Sequence, residues 1–202
     1  MSSAIPAKRL VRRGRPGYDL ESLLAVAVTV FNERGYEATS MEAVAKRLGI
    51  TKSAIYHHVG SKEELLGLAV DRALDGLFEA ADEARASPGR AIDRLESLVD
   101  RSVHVLVERL PFVTLLLRVR GNTEVEVRAL NRRREFDHLI ADLMRQAQEE
   151  GDLASGVDPD LGARLLFGMV NSLIEWYRPS RHIDADALAD AVCRTAFHGL
   201  RA

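Results

Sequence analysis

Thr39-Ser-Met-Glu-Ala-Val-Ala-Lys-Arg-Leu-Gly-Ile-Thr-Lys-Ser-Ala-Ile-Tyr-His-His-Val-Gly-Ser-Lys-Glu-Glu64 decides the fold of this chain. It reads as two short helices joined by a glycine turn, followed by the start of a third on a fresh cap. Thr39 with Glu42, and Ser61 with Glu64, have the spacing of capping boxes, in which a hydroxyl and a carboxylate satisfy the free N–H groups of a helix start. Ala45, Gly49 and Ile55 are the pivots. A small Ala45 lets the next helix approach, Gly49 supplies a positive φ, and Ile55 fills the angle between the helices. Lys52, Ser53, Tyr56 and His57 then lie on the outer side, offering hydrogen-bonding and stacking groups suited to phosphates and base edges.

Upstream, Leu20, Leu23, Leu24, Ala27, Val28 and Phe31 recur at helical spacing and predict a first helix from Asp19 to Gly35. Before it, Lys8 to Arg15 holds five basic residues and no acidic one. Arg12, Arg13 and Arg15 are suited to a minor groove or a phosphate backbone. Residues 1–62 carry ten Lys/Arg against five Asp/Glu, and the rest carries eighteen against twenty-five. The formal net charge of −2 therefore hides a basic front end and an acidic body.

The remaining chain reads as helices throughout. Starts are expected at Ser61, after Ser87-Pro88-Gly89, at Pro111, Thr123, Asp158-Pro159 and Asp184, giving about nine helices in an all-α fold. The division expected is a basic flexible arm over 1–17, a helix-turn-helix DNA-binding domain over 18–65, and a helical body over 66–202. With 202 residues, 47% hydrophobic and 29% charged, the composition is that of a globular protein. The absence of any long apolar run and the single Cys193 point to a cytoplasmic protein without a membrane partner. Neither a phosphate-binding glycine loop nor a nucleophile elbow is present, so the expectation is no enzyme, no metal and no cofactor. A ligand-independent architectural protein is the alternative within DNA binding, and an all-α enzyme a remoter one.

Residues 19–66 resemble the DNA-binding domain of the TetR family of bacterial regulators, through Phe31–Gly49 and Ile50–Leu66 together. The resemblance implies that Tyr56 and His57 contact double-stranded operator DNA. It also implies phosphate contacts from Lys62, Thr51, and Ser40 or Thr39, with Lys52 and Ser53 in the base-reading stretch. It implies a homodimer built on the last two helices. The apolar Leu165, Leu166, Met169, Val170, Leu173, Ile174 and Trp176, and the stripe Leu188, Val192, Ala196 and Leu200, suit that interface. A small-molecule effector is implied in the body, with Phe112, Leu116, Phe136, Leu139, Phe167 and Asn171 as candidate lining, and with repression released by that effector. The string Glu175–Ser180 is similar to a subset of these regulators, some of which answer to coenzyme A thioesters. An acyl-CoA is therefore a candidate effector. Arg118, Arg120, Arg128, Arg132, Arg133 and Arg134 either meet its phosphates or pair with Glu124, Glu126 and Asp137 on a solvated face.

Overall fold

The computed structural model describes residues 19–179 and 183–200. The basic arm with Arg12, Arg13 and Arg15, and Ser180 at the end of the Glu175–Ser180 string, lie outside them. The described residues are all-α, with nine α-helices and a final wide turn.

The head is α1 (Leu20–Arg34), α2 (Met41–Leu48) and α3 (Lys52–Tyr56). Asp19 caps α1 by accepting from the Ser22 N–H at 2.8 Å. Leu23, Leu24, Ala27, Val28 and Phe31 are buried as the periodicity requires, whereas Leu20 is left at the surface. Gly49 adopts φ +70° and ψ +30°, the left-handed geometry that closes α2. The Ile50 N–H then returns to the Ala45 carbonyl at 3.1 Å. Ile55 is fully buried and Ala45 nearly so, as the pivot reading demands.

The α2 cap is one residue later than expected. Ser40 accepts from the Ala43 N–H, while Thr39 turns inward and donates to the Gly35 carbonyl at 2.8 Å. With Ser40 as the cap, Ala43 holds the third helical position and Glu42 the second, so Glu42 cannot complete a box and instead pairs with Lys52. At Ser61 the hydroxyl accepts from Glu64 N–H at 3.0 Å, but the Glu64 carboxylate takes the Gly60 N–H instead of the cap's own. Thr123 and Glu126 form a complete reciprocal box.

The body is α4 (Lys62–Ala86), α5 (Ala91–Glu108), α6 (Leu110–Arg118), α7 (Glu124–Glu149), α8 (Pro159–Trp176) and α9 (Ala185–Cys193). The boundary expected at 65/66 falls within α4, a continuous helix shared by head and body. Packed against it are α1, α5, α6 and α7. Further out, α8 lies on α7 and α9 on α5. Pro111 sits in the first turn of α6, which starts one residue earlier than the proline and stops two residues short of Arg120.

Three polar contacts tie head to body. Asn32 on α1 donates to the Pro111 carbonyl at 2.8 Å, and Arg118 donates back to the Asn32 carbonyl at 3.3 Å. Both ends of the short α6 are thereby strapped to the last turn of α1. Arg72 on α4 pairs with Glu21 at 2.8 Å and lies over the Phe112 ring.

The expected interface helices divide differently from their sequence stripes. On α8, Leu166, Val170 and Leu173 are buried, while Leu161, Leu165 and Trp176 are 53%, 65% and 49% exposed. With half-buried Met169 they form one outward apolar stripe at helical spacing. On α9, Leu188 and Val192 are buried, so that stripe faces α5 and not outward. Leu200, in the last turn, is exposed.

Candidate functional site

The outer face of the head is built around Ile55. Because that side chain is fully buried, its neighbours Lys52, Ser53, Tyr56 and His57 are carried outward, and all four are exposed. Thr51 caps α3 by accepting from the Ala54 N–H at 3.3 Å and lies 3.1 Å from the Ser53 hydroxyl. Ser40 is exposed close by in sequence at the start of α2. The structure therefore brings Ser40, Thr51, Lys52, Ser53, Tyr56 and His57 to the surface of a single rigid unit.

Two expected phosphate ligands have partners within the head. Thr39 is 2% exposed with its hydroxyl committed to Gly35, so it has no surface to offer DNA. Lys62 is engaged within the head. Its ammonium donates to the Tyr36 and Thr39 carbonyls at 3.1 and 3.2 Å and sits 4.2 Å from the centre of the Tyr36 ring. Two of its three protons and its cation–π contact thus hold the α1–α2 loop against the start of α4. Lys52 is free of the core but paired with Glu42, which raises the lysine pKa and lowers that of the glutamate. Reaching a phosphate requires exchange of that partner.

The Tyr56→Ala variant is expected to bind operator about 10- to 100-fold more weakly, from the loss of one good base-edge or stacking contact worth roughly 1–3 kcal/mol. Its thermal stability should change little because the ring is 43% exposed. Fluorescence anisotropy with a labelled duplex measures the first quantity and calorimetry the second. An unchanged affinity would remove Tyr56 from the interface.

A second site lies inside the body. Leu74, Leu106, Val113, Leu116, Phe136 and Phe167 contribute to an apolar cavity of about 30 Å³, with Arg133, Asp137 and Asn171 as polar members. That volume is about the share of one liquid water molecule. Leu116, Phe136, Phe167 and Asn171 were expected there. Phe112 is not part of it and instead stacks under Arg72. Leu139, three residues past Phe136, is turned off the cavity face and packs partly buried against the core. Phe136 is edge-on to both Phe78 and Phe167, with ring centres 5.8 and 5.2 Å apart.

The six expected arginines do not share one site, although Arg118 and Arg120 line one cleft between head and body. Arg132 reaches to α4 and pairs with Asp71 and Asp75 at 2.7 Å. Arg134 donates to Asn131, and Arg118 to Asn32. Glu126 is buried in the α7 cap, so the solvated pairing with Glu124, Glu126 and Asp137 is not formed. Arg133 alone among the six lines the cavity. Cys193 is buried beside Asp100, Glu96 and Asp190, and burial first, with those carboxylates, pushes its thiol up to about 12, so it carries no thiolate at neutral pH. No helix among the described residues is long and apolar enough to cross a membrane.

A helix-turn-helix head with a polar outer face, joined by one shared helix to an all-α body holding a lined cavity, defines a DNA-binding regulator. Known proteins agree. Residues 23–69 match the model for bacterial regulatory proteins of the tetR family, and residues 88–200 match the tetracyclin repressor-like C-terminal domain. The chain is 56% identical to SCO3833 of Streptomyces coelicolor A3, a TetR-family member whose structure superposes with a TM-score of 0.84, covering 89% of this chain and 91% of that one. It is 29% identical to the transcriptional repressor KstR2 of Rhodococcus jostii over 93% of each chain. It is 26% identical to AibR, solved with isovaleryl coenzyme A and operator DNA, with a TM-score of 0.75 over 88% of this chain and 97% of that one. The chain belongs to the TetR family of bacterial transcriptional regulators.

Proposed function

We propose that the protein is a dimeric repressor that holds a two-fold operator through Ser40, Thr51, Lys52, Ser53, Tyr56 and His57, and that leaves it when a small molecule fills the body cavity. The observation that carries this reading is the outward cluster on α3, held rigid by Ile55 beneath it. One such head touches only a few base pairs, so a pair of heads at fixed separation is needed for specificity. The outward stripe of α8 supplies a self-complementary apolar face for that pairing.

Coupling follows from α6. Val113 and Leu116 of that helix line the cavity, while its two ends are strapped to Asn32 of α1. A ligand of organic size must push its walls apart, and α6 is the shortest of them. Displacing α6 shifts α1 and the head with it, and the two heads of a dimer lose the spacing that both major grooves require.

A coenzyme A thioester is the first ligand class to test, because AibR was solved with one and with operator DNA. The apolar walls suit an acyl chain and are far too confined for the coenzyme itself. Fluorescence anisotropy with a duplex from upstream of the protein's own gene, titrated with a chain-length series of acyl-CoAs, is the test. The expected result is release by some chain lengths and none by free coenzyme A. Equal indifference to every thioester ends that ligand class. Failure to bind the upstream duplex at any salt concentration removes that duplex as an operator.

A further inference from the structure

We infer that the cavity ligand is a small amphipathic anion whose acid group is received by Arg133, in place of the uncharged acyl chain of a thioester, an inference that rests on the cavity being the effector site. The three consecutive arginines of α7 are unequal. Arg132 has two aspartate partners on α4, and Arg134 has Asn131. Arg133 makes no hydrogen bond or ion pair among the described residues, although it is partly buried in a wall of Leu74, Leu77, Leu117 and Phe136. An unpaired guanidinium in apolar surroundings is destabilising. Burial accordingly lowers its pKa.

The nearest counter-charge does not resolve this. Asp137, one turn along α7, acts on Arg133 only through space. The same carboxylate is also under the influence of Arg164 and His138, and its own burial raises its pKa. His138 in turn has Asp160 at 3.9 Å. Arg164, exposed and outside the cavity lining, competes for the same exposed carboxylate, so Arg133 has no counter-charge of its own. Asn171, one turn beyond Phe167 on α8, adds a neutral amide to the same lining. A fixed, planar five-donor group beside leucine and phenylalanine walls matches a molecule with an apolar frame and a carboxylate, sulfonate or phosphate. Such an anion would give Arg133 the charge-assisted hydrogen bonds it lacks, and its apolar part would meet the leucines and phenylalanines.

Two dyes of nearly the same skeleton test this in the full-length protein. Anilinonaphthalene sulfonate carries an acid group; N-phenylnaphthylamine does not. Both should bind saturably, one per protomer, and Asn171→Phe, which plugs the cavity from a partly exposed position, should abolish both. Arg133→Met should weaken the sulfonate roughly ten-fold or more, the size of a lost hydrogen bond to a charged group, and leave the neutral dye unchanged. Arg133→Lys should recover part of the sulfonate affinity. The melting temperature of Arg133→Met should stay level or rise, because an unpaired charge leaves an apolar wall; a residue serving only structure would give the opposite. If the neutral dye binds and the sulfonate is indifferent to Arg133, the anion inference is overturned alone. If neither dye binds the wild type in an Asn171-sensitive way, the cavity is not a ligand site and both readings fall.

Discussion

The Phe31→Ala variant is expected to lose about 3–5 kcal/mol of stability, the range for deleting a buried aromatic side chain from a packed core. Phe31 is 1% exposed and stands edge-on to Tyr36 with ring centres 5.2 Å apart. It belongs to the last turn of α1, the turn that also carries Asn32 and the straps to α6. Leu23, Leu24, Met41, Leu48 and Ile55 are buried in the same head core. Urea denaturation should show a lower midpoint at similar slope. Operator binding should decline in proportion to the folded fraction of the head. A loss under about 1 kcal/mol would mean that the head rests on something other than this small core.

Leu165→Glu is expected to separate the dimer and to reduce operator affinity by about 100-fold or more, the scale of benefit that linking two weak contacts provides. The side chain is 65% exposed in the protomer, so the glutamate does not disturb folding. At a two-fold interface the substitution enters twice, placing two carboxylates on one apolar face. Trp176, the single tryptophan, lies on the same stripe and serves as reporter. Its emission should shift to longer wavelength in the monomer. Light scattering coupled to gel filtration gives the mass directly. A variant that remains dimeric places the interface elsewhere.

Much of the fold was legible because this chain punctuates its helices with caps. Asp19, Gly49, Ser61, Thr123, Asp158 and Asp184 each stand at the boundary their chemistry implies. The error at Thr39 shows where the rule runs out. Two adjacent hydroxyls are equally good caps on paper, and the choice was made by burial, which drew Thr39 into the core and left Ser40 outside. Lys62 shows a second boundary. Its position was correct, but its role depends on two carbonyls more than twenty residues away in sequence, which no local pattern displays. The cavity was legible in part: Leu116, Phe136, Phe167 and Asn171 line it as the resemblance implied, whereas Leu74, Ser102 and Leu106 come from α4 and α5, whose shared face emerges only on packing. Arg133 was indistinguishable from its basic neighbours until Asp71 and Asp75 claimed Arg132 alone.

The clasp at the start of α4 has a mechanical corollary. Lys62 is the first residue of the helix that continues into the body, and its ammonium grips the loop between α1 and α2. Any pivot of that helix therefore hauls the trihelical unit along as cargo, without shearing it internally. Under the proposed reading, switching changes the gauge between two intact reading heads and leaves the shape of each head alone.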